Sequence, residues 1–275
     1  MTFKKYLQSI YSKLNFRLSN FNLVVALLSL FFCIPIIVIC GSLFFPAKDV
    51  WVHLLDTVLI DYIFNSFTLL IGVGCISLIL GVIPAWLITM YKFPMSRYLE
   101  WALLLPMSMP AYIIAYSYTG AFDASGPIQE AIRDLTGWGY NDYWFPEVRS
   151  LGGAVAMLSF VLYPYIYLLS RASFIEQSVC VLEVSRTLGC NTIGSFTRVA
   201  LPLARPAIIV GLSLVLMETL ADYGTVQYFG VSAFTTGIFR TWFGMDNSLV
   251  ASQLSALLLL FVVVFIYLER RSRKQ

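Results

Sequence analysis

Glu218 and Asp222 stand four residues apart inside Pro206–Phe229, one of the most apolar stretches of a 275-residue chain. In a helix that spacing puts both carboxylates on one face. Carboxylates at membrane depth are costly, and they face a bundle interior or a water-filled cavity. Thr219, Tyr223, Thr225 and Gln227 extend the polar stripe around them. Carboxylate oxygens suit hard cations, so Glu218, Asp222 and Tyr223 are candidates for the lining of a translocation path. The competing use is structural, in contacts that hold or gate neighbouring helices, and it ranks ahead of direct ligation. No stable metal site is assigned.

Other chemistries find no support in the residues. His53 is the only histidine and has no Cys or His at ligand spacing. Cys33, Cys40, Cys75, Cys180 and Cys190 form no CxxC pair, which argues against zinc and against a disulfide framework. There is no HExxH and no nucleophile with a credible histidine base, so an enzyme is the weakest reading. There is no GxxxxGK[ST], and none of the six lysines follows a glycine. The chain itself cannot supply ATP hydrolysis on this evidence, and any energy coupling must come from a partner.

The elements that must position the carboxylates are membrane helices. The chain is 59% hydrophobic and 12% charged, with a mean hydropathy of +0.79, too apolar for a soluble domain of this length. A hydrocarbon core about 30 Å thick takes about 20 apolar residues in a helix. Six segments qualify: Leu23–Phe45, Ser66–Tyr91, Trp101–Phe122, Leu151–Ser173, Pro206–Phe229 and Leu249–Leu268. The prediction is all-α and polytopic, because in lipid each backbone must satisfy itself. Pro35, Pro84, Pro106, Pro110 and Pro164 fall inside spans and predict kinks whose freed carbonyls neighbours or water take up. The first span follows Lys4, Lys5, Lys13 and Arg17 without a small-residue cleavage site, so it is read as retained.

Orientation follows from the basic residues. With both termini inside, fourteen of the 18 Lys and Arg lie in cytoplasmic segments, and only Lys48, Arg133, Arg149 and Arg240 lie outside. The net charge of +3 therefore conceals a basic inner face and implies no nucleic-acid partner. The organisation expected is 1–60 for the N-terminal segment, first span and outer loop. A core of five spans follows over 61–270, with a cytoplasmic loop at about 176–204, and 271–275 forms a basic tail.

That loop reads as two short helices joined by a turn at Gly189, before Leu201-Pro202 leads to the next span. Its apolar residues Val181, Leu182, Leu188, Ile193 and Phe196 exceed what a solvated loop needs. Docking into a groove of another protein and lying on the lipid interface fit the periodicity about equally. Glu183-Val184-Ser185, then Gly189, then Leu201-Pro202 resembles the EAA loop of ABC-importer permeases, with Val184 and Ser185 where that family has alanines. "ALLLPMSMPAYIIAYSY", "VLYPYIYLLSRASF" and "METLADYGTVQYFGVSAFTTGIFRTWFG" extend the likeness to the iron(III)-type permeases of binding-protein-dependent importers.

The resemblance implies a type I (MetI-like) permease bundle in a bacterial inner membrane. Its coupling loop, with Glu183, Val184, Ser185, Gly189, Leu201 and Pro202, would seat in a groove of a cytosolic ABC ATPase dimer. It also implies a periplasmic or lipoprotein substrate-binding protein, and a second permease half supplied by a homodimer, a paralogue or a longer chain. Ferric iron is the cargo the subfamily implies. Phosphate, sulfate, thiamine and polyamine are the alternatives, and a gradient-driven transporter or a membrane scaffold are the rival classes. Outside the membrane, Ser125-Gly126-Pro127 predicts a helix start with an apolar stripe at Ile128, Ile132 and Leu135, in an acidic loop suited to a binding protein or to capping the bundle. Tyr112, Tyr116 and Tyr118 are weaker candidates for a pore lining, and packing is the commoner use of such a stripe.

Overall fold

The computed structural model describes residues 20–177, 187 and 189–272. Among these the chain is helical without strands, and it divides into two units, Met1–Pro46 and Ala47–Gln275. In the first, α1 (Asn20–Ser42) carries apolar residues on every side and runs through Pro35 unbroken, as a lipid-facing span does. The second holds α2 (Lys48–Thr57), α3 (Leu59–Met90), α4 (Ser96–Ala102), α5 (Ala111–Phe122), α6 (Pro127–Thr136) and α7 (Leu151–Glu176). Then come α8 (Thr192–Ala221), α9 (Gly224–Tyr228), α10 (Phe234–Phe239) and α11 (Ser248–Ser272). Among the described residues α1, α3, α7 and α8 are each long and apolar enough to cross a membrane alone.

The core of the second unit forms where α3 and α8 pack on α7. Small residues set the approach. A Cβ on Gly81 of α3 would stand 2.7 Å from Ile166 Cβ, and one on Gly211 of α8 would stand 2.8 Å from Ile166 Cα. Ile166 is fully buried between them. Close contact through glycine is how helices associate where lipid supplies no hydrophobic drive. A smaller cluster joins Leu54 of α2, Tyr62 of α3, Phe234 of α10 and Leu254 of α11. Polar ties cross it, from Trp51 Nε1 to Gln253 and from the Phe234 N–H to Ser66 Oγ at 3.1 Å.

Three expectations need correction. The third span is not one helix: α4 passes into a 3-10 turn at Leu105–Ser108, the chain extends at Met109 and Pro110, and α5 leaves at a new angle. The two halves, α4 with its turn and α5 continuing into α6, are bent by 102°. Pro106 and Pro110 lack the N–H groups that a straight helix would need there. The fifth span likewise ends at Ala221, with Asp222 extended at φ −69° and ψ 121°, before α9 begins. Conversely, Leu201-Pro202 does not separate the loop from that span. The helix runs from Thr192 through Pro202 and Pro206, and a π turn over Phe196–Ala200, closed by the Leu201 N–H on the Phe196 carbonyl, precedes the first proline. Widening a helix by one residue is a known way to absorb such an interruption.

Candidate functional site

The break in the third span exposes backbone that must be satisfied. Tightening to 3-10 geometry moves the Leu104 N–H onto the Trp101 carbonyl and the Met107 N–H onto that of Leu104. The carbonyls of Glu100 and Leu103 thereby lose their helical donors. α7 supplies replacements: Tyr163 Oη donates to the Leu103 carbonyl at 2.8 Å and Tyr167 Oη to that of Glu100 at 3.4 Å. One turn on, Arg171 forms an ion pair with the Glu100 carboxylate. Positions 163, 167 and 171 share one helical face, so α7 holds the broken segment with a single row of side chains.

The second break is satisfied by Asp222 itself. Its Oδ1 accepts from the Val226 N–H at 3.0 Å and its Oδ2 from Thr225 Oγ1 at 3.1 Å, capping α9. Its carbonyl accepts from Thr235 Oγ1 at 2.9 Å. The two breaks then pack together. Gly224 of α9 sits where a Cβ would lie 3.3 Å from Tyr112 Cβ of α5, and the Tyr116 and Tyr228 rings meet edge to face at 5.9 Å.

Between them lies a cavity of about 330 Å³. Met107–Ala111 of the third-span break, Leu158, Val161, Leu162 and Tyr165 of α7, Glu218 and Asp222 form its walls. Glu218 reaches it, exposed, from the last turn of α8. The sequence placed the two carboxylates on one helical face. The structure instead brings them to one cavity across the end of a helix, because Asp222 leaves helical geometry to cap α9.

The rest of the stripe disperses. Tyr223 faces a separate pocket with Phe239, Trp242 and Phe243, its ring stacked on Phe239 at 4.4 Å. Thr219 is buried, donates to the Val215 carbonyl, and borders a third, narrow cavity. Among the described residues no three His, Cys, Asp or Glu side chains come together as metal ligands.

The residues of the cytoplasmic loop divide as well. Glu183, Val184, Ser185, Val181, Leu182 and Leu188 lie outside the described residues. Gly189 has φ +84°, in the left-handed region that favours glycine, with open space around it. Asn191 then caps the following helix by accepting from the Gly194 N–H at 2.7 Å. Ile193 is 72% exposed, whereas Phe196 turns inward and packs on Trp86 and Phe174, with centroids 5.1 and 6.5 Å away. Phe196 is thus committed to its own bundle and not to a partner's groove. Outside the bundle, α6 starts at Pro127 as the sequence predicts, and Gln129, Tyr143, Arg133 and the Phe122 carbonyl form one hydrogen-bonded chain.

A polytopic helical bundle broken in two places around a carboxylate cavity has the form of a transport protein's membrane domain. The family described as binding-protein-dependent transport system inner membrane component matches residues 77–274, and the chain belongs to it. Among curated relatives it is 28% identical over 65% of its length to the probable sulfate transport system permease protein cysT of Chlorokybus atmophyticus. It is 24% identical over 74% of its length to the Fe(3+)-transport system permease protein FbpB 2 of Haemophilus influenzae. It is also 28% identical over 56% of its length to the molybdenum transport system permease protein ModB of Escherichia coli. The chain spans 60% of the first of these proteins, 36% of the second and 64% of the third.

Solved structures share the fold at low identity. A bacterial alginate ABC transporter, crystallised with an alginate-bound periplasmic protein, superposes with a TM-score of 0.68 at 16% identity over 90% of this chain and 91% of its own. The MetNI methionine ABC transporter, in an inward-facing conformation, gives 0.60 at 15% identity over 78% of this chain and 93% of its own.

Proposed function

We propose that this chain is one half of the membrane path of an ATP-driven importer in a bacterial inner membrane, both termini cytoplasmic, and that its cargo is ferric iron. The observation that carries the cargo assignment is the cavity at the paired breaks, whose charged lining residues are Glu218 and Asp222, with no Lys or Arg among them. Two unit charges about 4 Å apart interact by about 4 kcal/mol at the dielectric typical of a protein surface. That term favours a cation and opposes oxyanions such as sulfate, named for one of the relatives, or molybdate, an oxyanion of the molybdenum named for another. Hard-cation affinity for carboxylate oxygen adds to it.

Family membership supports the partners: a cytosolic ATPase dimer seated on the Glu183–Gly189 loop, a substrate-binding protein outside, and a second permease half. The ATPase binds ATP and magnesium and performs hydrolysis, while this chain converts it into a change of access. The oxyanion reading keeps one point in its favour, the higher identity of the sulfate and molybdenum relatives over their matched lengths.

Uptake of radiolabelled ferric iron, sulfate and molybdate into vesicles carrying the full importer tests the assignment. ATP-dependent uptake of iron alone, reduced in Glu218→Gln, is expected. Uptake of either oxyanion without iron would overturn the cargo and leave the importer class standing.

A further inference from the structure

The segment 178–199 runs in sequence between Gln177 and Ala200, and Gln177 Nε2 donates to the Ala200 carbonyl at 3.0 Å. Phe174 meets Trp86 edge to face with centroids 5.3 Å apart, and Phe196 packs on the same Trp86 ring. Both ends of the segment are thereby fastened to the last turns of α7. One turn back stands Arg171, paired with Glu100 in the one salt bridge among the described residues, the side chains 26% and 29% exposed. Among the described residues Arg171 Nε is buried without an acceptor, and so is Ser170 Oγ beside it.

From Glu100 the chain runs through the carbonyls held by Tyr167 and Tyr163 directly into Met107–Ala111, which wall the cavity of Glu218 and Asp222. Two hydrogen bonds and an ion pair from one face of α7 therefore hold the segment that leads to the cavity wall, and that face ends one turn from the loop's attachment. Packed elements of this kind pass displacements on as units and do not deform smoothly.

We propose that Glu100 and Arg171 are positioning residues that carry a displacement arriving at Phe174, Gln177 and Phe196 to the wall of the carboxylate cavity. The inference rests on the importer reading above and names the contact through which hydrolysis is coupled to access. Neither side chain touches cargo. Their charge pairing fixes the broken third span to the helix that receives the loop.

The test uses the complete complex in proteoliposomes: this chain, its second half, its ATPase and its loaded binding protein. Ferric iron, sulfate and molybdate are offered to the wild type first, and the one imported is used thereafter. Cargo moved per ATP hydrolysed is compared for wild type, Glu100→Gln, Arg171→Gln and the exchange Glu100→Arg with Arg171→Glu. Each single variant should retain the ATPase and hydrolyse ATP, yet import about tenfold less per ATP, a typical coupling between sites. The exchange should recover most of that loss.

Because the readout is a ratio, a smaller folded fraction does not imitate the effect. Wild-type ratios in both single variants would overturn the inference, and so would an exchange no better than the singles. A wild-type complex with no ATP-driven uptake of any of the three, nor of phosphate, thiamine or a polyamine, would instead overturn the importer reading, and this inference with it.

Discussion

Gly211→Ala is the sharpest test of how the bundle positions its carboxylates. The added Cβ would lie 2.8 Å from Ile166 Cα, 3.2 Å from the Tyr165 carbonyl and 3.3 Å from Ile166 Cγ1. Carbon atoms rest about 3.5–4.0 Å apart, so α8 must move from α7 by about 1 Å. Two of the three obstructing atoms are backbone, and no side-chain rotation relieves them. Overpacking of this kind costs about 1–3 kcal/mol, which corresponds to a Tm lower by about 2–12 °C in a domain of this size. Glu218 lies seven residues further on the same face, about 10 Å along the helix, so the displacement is passed to the cavity.

The assay is the fraction surviving heating in lipid nanodiscs, read by size exclusion, beside two comparators. Gly120→Ala, whose Cβ would meet nothing within 4 Å, should leave Tm unchanged or slightly higher. Gly72→Ala conflicts instead with the side chain of Val155, whose Cγ1 lies 2.7 Å away, so Val155→Ala should rescue it. A Gly211→Ala protein as stable as wild type would refute the argument that glycine sets the α7–α8 distance.

Three further outcomes are expected. Asp222→Asn should keep the cap on α9 and its thermal stability while lowering uptake; Asp222→Ala should lose about 1 kcal/mol as well, and equal melting of the two would deny the capping role. Tyr163→Phe leaves the Leu103 carbonyl without its donor and should cost about 1–3 kcal/mol, visible in the same heating assay, whereas an unchanged Tm would show that the break needs no such support. Glu183→Lys should abolish co-purification of the ATPase, and Gly189→Pro should uncouple hydrolysis from uptake because proline cannot adopt the φ of +84° at that position; wild-type uptake by both variants would remove the loop from the mechanism.

Composition and run length made the helical membrane architecture legible, since nothing else buries so little charge in so many apolar residues. The same measure misread the third and fifth spans as continuous, because hydropathy counts side chains and ignores which backbone donors survive. Pro106 and Pro110 carried the signal for the first break. For the second, the cue was Asp222 followed by Gly224-Thr225, a capping pattern inside an apolar run. The pairing of Glu100 with Arg171, 71 positions apart, had no local signature. Nor did the inward turn of Phe196, since an aromatic in a loop reads alike whether it faces a partner or its own bundle.

Lipid tolerates non-helical backbone only where protein or a water-filled cavity covers it. Each break therefore needs a separate means of satisfaction, and here the means differ. The third span relies on another helix, through two tyrosines of α7, while the fifth relies on its own Asp222 together with Thr235. This asymmetry has a mechanical consequence. Moving α4 past α7 exposes two carbonyls at once, whereas the Asp222 cap on α9 travels as one piece. Rearrangement at the cavity should accordingly keep the α9 cap intact and either carry the α4 segment along with α7 or break both tyrosine bonds together. Hydrogen exchange at Val226 should then stay slow in every state of the transport cycle, and fast exchange there during turnover would place the moving joint at Asp222 instead.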